Sequence, residues 1–298
     1  MNNMPDFKTM WLESDPVKRN ALQDRMQEII LQTPKKEFDD FDRNPAAVTE
    51  NPVLDYYDHA LDRLLSDIPA TTVRAGNAVV WYLYNLGFVI KTPDVCFGVD
   101  LHHRRAEKLE PYLDFLITTH NHDDHYSIPL MYRMSVAGKP VITNFFPASG
   151  YTKAVEFTHN IKGVTIHCGE ADHNTVLRRF TMPVEVICPT GDREFIFFTS
   201  GDCCTSESLR KHSARIHLYA VHPLCGMNTV DAVLKLEPDW TLIGHLQELG
   251  HENGRYRWSF EDGRHEMESV SEIGRKSVVP VWGEKFLWDG ETITGCQE

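Results

Sequence analysis

Apolar positions in the first seventy residues recur at helical spacing. Leu22, Met26, Ile29 and Ile30 fall on one stripe of a helix that Asp15-Pro16 would cap and start. A second helix is predicted from Pro52 to Ile68. There Leu54, Tyr57, Leu61, Leu64, Leu65 and Ile68 form a broad apolar face that has to be buried, against the rest of the chain or a second subunit. Between the two, Lys35-Lys36-Glu37-Phe38-Asp39-Asp40-Phe41-Asp42 reads as a charged connector. From about Val73 the period shortens. Val79–Leu83, Phe88–Ile90 and Val95–Val99 are β-rich runs separated by Asn85, Gly87, Pro93 and Asp94, the pattern of three successive antiparallel strands.

Strand and helix signals then alternate almost to the C-terminus. Phe115-Leu116-Ile117 is a short buried strand, and Ser127-Ile128-Pro129 starts a helix that runs to about Ala137 and ends at Gly138. Pro140–Thr143 reads as a strand, residues 149 to 160 as a helix, and Val164–His167 as a strand. Val184–Ile187 and Phe195–Phe198 flank the turn at Thr190-Gly191-Asp192 as a hairpin, and Trp240–Ile243 is a further buried strand. Pattern alone gives a mixed α and β chain. The change of period divides it into a helical N-terminal extension, 1–72, and a larger unit, 73–298.

Composition narrows the class. The length of 298 residues allows a sizeable core. A formal net charge of −13 disfavours a nucleic-acid polymer as partner, because such binding rests on clustered Lys and Arg. No apolar run approaches the ~20 residues of a membrane span. The start of the chain lacks a basic segment leading into an apolar one, and seven cysteines without a Cys-x-x-Cys pair suit reduced thiols. Together these give the expectation of a cytoplasmic protein. The apolar N-terminal helices leave a homo-oligomer open.

The chemistry concentrates directly after Phe115–Ile117, in Thr119-His120-Asn121-His122-Asp123-Asp124-His125. His120 and His122, two apart in an extended segment, can face the same side and grip one metal ion. Asp124 and His125 fall where the chain turns and can face a second ion. Imidazole with carboxylate suits zinc, manganese or iron. Further ligand-type residues recur at strand ends: His167 and His173, then Asp202 after Thr199-Ser200-Gly201, then His245 after Trp240–Gly244. A serine-nucleophile elbow and a phosphate-binding Gly-rich loop are both absent from the sequence.

The pattern T-H-x-H-x-D-H resembles the signature of the metallo-β-lactamase superfamily at every fixed position, and the resemblance covers roughly residues 78 to 250. It implies an αββα sandwich with helices outside two packed sheets, Asp100 as a support of the metal loop, and two ions. His120, His122 and His173 would hold the first, with His167 as the alternative third imidazole. Asp124, His125 and His245 would hold the second, and Asp202 would bridge both. Within the superfamily the chain is most similar to the L-ascorbate-6-phosphate lactonase-like branch.

The implied activity is that of a dinuclear metal-dependent hydrolase, zinc first and manganese or iron as alternatives. A water held between the ions would attack a small, anionic substrate such as a sugar-phosphate lactone. Asp124 would orient that water and accept its proton, and His251 would contact substrate or serve only the fold. The alternatives are a phosphodiesterase or nuclease-like hydrolase, a di-iron oxidoreductase, and a non-catalytic interaction protein docking through its N-terminal helices.

Overall fold

The computed structural model describes residues 16–146, 156–223, 225–253 and 255–295. It begins with helices α1 (Pro16–Ile30), α2 (Lys35–Asp42) and α3 (Pro52–Ala70). Helix α2 replaces the expected charged connector. Phe38 and Phe41, three residues apart, are buried on one side, while Lys35 pairs with Asp39 and Lys36 with Asp40 along the other, at the i,i+4 spacing that supports a helix. Asn51 caps α3 by accepting from the amide of Val53, and Pro52 fills its first position. The predicted stripe on α3 is buried apart from half-buried Leu65, with Val53 and Tyr56 added to it.

Strands β1 (Ala78–Tyr82), β2 (Phe88–Lys91), β3 (Cys96–Val99) and β4 (Phe115–Ile117) follow. Then come α4 (Ile128–Val136), β5 (Val141–Ile142), β6 (Phe157–Ile161), β7 (Val164–Cys168), β8 (Val184–Pro189), β9 (Glu194–Thr199) and β10 (Leu218–Val221). The order closes with α5 (Thr229–Leu236), β11 (Trp240–Ile243), α6 (Phe260–Glu272), β12 (Ser277–Val278), β13 (Lys285–Trp288) and β14 (Ile293–Gly295). Of the helix expected over 149 to 160, residues 149–155 lie outside the described residues, and 157–161 is strand β6. It pairs with β7 across the two-residue turn Lys162-Gly163, whose φ values of 51° and 82° are those of a type I′ hairpin.

Two seven-stranded sheets result, in the orders β14-β13-β1-β2-β3-β4-β5 and β12-β11-β10-β9-β8-β7-β6. In the first, β3, β4 and β5 are parallel neighbours; in the second, β9, β10, β11 and β12 are. The sheets pack face to face: Phe88 of β2 meets Phe197 of β9 at 5.4 Å between ring centres, and Phe195 of β9 meets Trp288 of β13 at 5.3 Å. Helix α4 lies on β4 and β5, and α6 on β11 and β12. The helices of residues 16–70 share this core: Leu22, Met26, Ile30, Tyr57 and Leu61 are buried in one cluster with the strand residues.

Polar anchors hold α2 in place. The Arg104 guanidinium lies 3.6 Å over the Phe41 ring, donates to the carbonyls of Asn44 and Ala47, and pairs with Asp58. Asp42 accepts from the Tyr57 hydroxyl at 3.1 Å and faces Nε2 of the half-buried His102 at 3.4 Å. Burial opposes a charge on His102, but the hydrogen-bonded Asp42 carboxylate outweighs it and raises its pKa to about 9. A folded-state pKa above the unfolded value of about 6.5 means stability that is complete below pH 6.5 and lost as pH rises through about 9. That change is worth at most about 3 kcal/mol. The denaturant midpoint should therefore fall between pH 6 and pH 9.5 by more in the wild type than in His102→Gln; parallel pH profiles would contradict the pairing.

Candidate metal centre

Parallel neighbours end at the same edge, so the residues that follow β4, β9, β10 and β11 meet where the two sheets' carboxyl ends converge. Asp202 follows β9, His222 follows β10 and His245 follows β11. His120, His122, Asp124 and His125 leave β4 in the other sheet, and His173 enters from the loop between β7 and β8. Two groups form. Ligand atoms of His120, His122, His173 and Asp202 lie within 4.8 Å of one another, and so do those of Asp124, His125 and His245. The seven residues singled out in the sequence as metal ligands are thus together. His167 is not among them; it lies on β7 beside Glu185 and His212.

Asp202 touches both groups. Its Oδ2 is 3.7 Å from His120 Nε2 and 3.5 Å from His173 Nε2, while Oδ1 is 3.4 Å from His125 Nε2. Asp124 Oδ2 lies 2.8 Å from His245 Nε2 and 3.3 Å from His125 Nε2. Nitrogens also crowd together: His120 Nε2 is 3.1 Å from His122 Nδ1, and His125 Nε2 is 3.1 Å from His245 Nε2. Buried Asp202 Oδ1 has no hydrogen-bond partner. Acceptor atoms that converge in pairs, some without a donor, fit divalent cations, and the His and carboxylate donors are those of zinc, manganese and iron.

The supporting contacts fix these orientations. Asp100, with φ of 45° and no exposure, accepts from the Thr119 amide at 2.7 Å and the Thr119 hydroxyl at 2.8 Å. Oδ2, the oxygen that accepts the hydroxyl, is also 3.0 Å from His125 Nδ1. A carboxylate can only accept, so Nδ1 donates and Nε2 is left for the cluster, the arrangement that orients metal-binding histidines. The aspartate singled out after the third strand therefore holds the Thr119–His125 loop. Gly201 has φ of 51°, and a Cβ there would lie 2.7 Å from Thr181 Oγ1, so glycine is required for the chain to pass.

Burial and neighbours divide the protonation states. Burial and the adjacent His125 lower His120 well below the ordinary imidazole value. His125 goes the other way: burial opposes its charge, but Asp124, Asp202 and Asp100 outweigh burial. His245 is raised to about 9 against burial by Asp202 and Asp124. Metal ions would compete with protons for these nitrogens.

Two contributors escaped the sequence reading. Asn85, taken as a turn residue, donates to Asp124 Oδ2 at 3.2 Å, and its carbonyl accepts from the His245 amide at 2.8 Å. Nothing in its local sequence sets it apart from a turn. His222 stacks on His245, ring centres 3.8 Å apart and 6° from parallel, with Nδ1 3.2 Å from Asp202 Oδ1. Burial and His245 lower it to about 4, so it is a neutral donor atom. The signal was present, since Leu218–Val221 ends in this histidine just as Trp240–Ile243 leads to His245.

Cys203 is turned away: its thiol donates to the Thr205 carbonyl at 3.0 Å. Arg257 is buried and donates to the carbonyls of Ile30, Thr33, Glu248 and Leu249. Cavities of about 610 Å³ and 570 Å³ flank the cluster and share His122, Asp124, Glu248 and His251 among their lining residues. Trp258 and Tyr256 wall the first, and Lys35, Asp39 and Arg43 of the α2 region wall the second. His251 pairs with buried Glu248, whose carboxylate raises its pKa.

No family model matches the chain, and no curated protein matches it by sequence. Solved structures do. A novel metallo hydrolase, Igni18, from Ignicoccus hospitalis KIN4/I aligns over 71% of this chain and 98% of its own, with TM-score 0.54 at 15% identity. A possible metal-dependent hydrolase from Veillonella parvula aligns over 70% and 98%, with TM-score 0.52 at 14% identity. CmlA, a diiron β-hydroxylase from Streptomyces venezuelae, aligns over 73% of this chain but 54% of its own, with TM-score 0.52 at 14% identity. The likeness is one of fold, and with the two sheets and outer helices it defines the αββα metallo-β-lactamase fold.

Proposed function

We propose that this chain is a dinuclear metal-dependent hydrolase of a small, anionic ester-like substrate, with a sugar-phosphate lactone as the first candidate. The observation that carries the reading is the placement of Asp202 between the two imidazole groups, with Asp124 Oδ2 against both His125 and His245. His120, His122 and His173 would hold one ion and Asp124, His125 and His245 the other. Bound there, the ions would polarise a carbonyl or phosphoryl oxygen and lower the pKa of a water to about 7.

The chain's own residues do the rest. Asn85 orients the Asp124 carboxylate, which is placed to accept a proton from the attacking water. Two divalent ions outweigh the carboxylates of Asp124 and Asp202, so the loaded centre favours an anion despite the acidic chain. Lys35 and Arg43 on the far wall of the second cavity, and His251 on the wall both cavities share, are placed to meet substrate.

A second reading is oxygen chemistry at a di-iron centre. It is favoured by the donor set, which is entirely imidazole and carboxylate, and by the fold shared with CmlA, a diiron β-hydroxylase.

The test strips the protein with a chelator, reloads it with zinc, manganese or iron, and assays a chromogenic phosphodiester and a set of sugar lactones. Turnover that appears only on reloading is expected with a lactone. Turnover with the phosphodiester instead would move the assignment to phosphodiesterase. Two bound ions with no hydrolysis, and oxygen uptake by the iron form, would favour the oxidative reading.

A further inference from the structure

His167, left out of the centre at the strand ends, is part of a second ligand cluster on the outer face of the β6–β9 half of the sheet. Val164, Ile166 and Cys168 of β7 and Val184, Val186 and Cys188 of β8 face the core and are buried. Alternation along a strand therefore turns His167 and Glu185, which are directly paired across β7 and β8, to the opposite face. The segment after β9 returns over that face and lays the His212 ring on His167, with centres 4.1 Å apart and planes 18° from parallel.

We infer that His167, Glu185 and His212 form a separate site for one transition-metal ion, zinc by donor type. Ligand atoms of the three residues lie within 4.8 Å of one another, beside a cavity of about 180 Å³. Each is held by a contact that leaves a donor atom free. Thr158 Oγ1 is 2.9 Å from His167 Nδ1, so Nε2 is the nitrogen that remains for an ion; donating Nδ1–H to the hydroxyl puts the lone pair there.

Glu185, 1% exposed although it lies on the outer face, accepts the amides of His212 at 2.8 Å and Ser213 at 3.0 Å. The Ser213 hydroxyl also donates to Oε1, so the carboxylate positions the His212 backbone and keeps one lone pair, on Oε2, for an ion. Two imidazoles and a carboxylate are a recurrent zinc donor set, with solvent completing the coordination.

The experiment counts zinc per chain by equilibrium dialysis and elemental analysis, comparing the full chain with His167→Ala/His212→Ala. The double variant should hold one ion fewer, whatever number the centre at the strand ends holds, so the result is independent of the hydrolase reading. As a control on folding, His212→Ala alone, at an exposed position whose backbone amide still reaches Glu185, should weaken the third-site affinity by at least about tenfold. Hydrolytic turnover should be unchanged in both. Equal zinc content and equal affinities in wild type and both variants would overturn the site.

Discussion

Asp202→Ala is expected to reduce both bound metal and turnover, the latter by more than about 100-fold. Loss of a residue that merely orients a ligand typically costs about 10- to 100-fold in affinity or activity. Asp202 is placed as a ligand, and it faces five imidazoles: His120, His125, His173, His222 and His245 all lie between 3.2 and 3.7 Å from one of its oxygens. No other carboxylate among the described residues touches both groups of histidines. Its removal leaves each group without the anion that draws the two together electrostatically.

Folding should respond differently from chemistry. A fully buried carboxylate costs several kcal/mol of desolvation, which its neighbours must offset. In the stripped protein Asp202→Ala removes that desolvation cost but also an attraction that holds the buried His125 and His245 charged. Its urea midpoint should therefore fall below that of the wild type. The stabilisation that added zinc gives the wild type should shrink in the variant, because only the folded state binds the ion tightly. Elemental analysis, turnover and urea midpoints with and without chelator measure all three. A variant that stays fully loaded and fully active would remove Asp202 from the centre.

The parts of this arrangement that were legible in the sequence are those fixed by local spacing. The His120–His125 segment announces itself because four ligand-type residues crowd one strand exit. Asp202 and His245 stand at strand ends in the sequence, and it was the resemblance to the superfamily that marked them as ligands. What escaped depends on the fold. Asn85 reaches Asp124 only because the turn between β1 and β2 is carried over the carboxyl end of β4, and the local sequence shows only a turn.

Helix α2 was hidden for the opposite reason. Its charges outnumber its apolar groups, and the two phenylalanines that commit it to a helix find their partners, Tyr57 and Tyr84 for Phe38 and Arg104 for Phe41, far along the chain. Strand β6 combines polar residues with two aromatic ring positions in an edge location, so its period of two was too weak to outweigh a helical reading.

The second large effect concerns stability, and Arg19→Ala should lower it by about 3–5 kcal/mol. Arg19 extends from α1 to Glu284, in the turn before β13, and donates to both carboxylate oxygens; one of its amino groups also reaches the Val279 carbonyl. Glu284 has no side-chain exposure, and it also accepts from the Val281 amide at 2.9 Å. Truncating the arginine leaves a buried charge without its cation, so the cost is that of the stranded carboxylate and not of the lost attraction alone.

The double variant Arg19→Ala/Glu284→Gln should then recover a large part of the loss, because it removes the stranded charge, and the coupling in the cycle measures the pair directly. Helix α1 also reaches the chain after His245, where Gln27 accepts from the Gln247 side chain at 3.0 Å and from the Phe260 amide at 2.9 Å. Loosening α1 should thus disturb the cavity wall as well as the core. Urea midpoints of the two single variants and the double variant decide the matter. A single variant within about 0.5 kcal/mol of the wild type, the range of ordinary surface changes, would mean that α1 unfolds apart from the sheets.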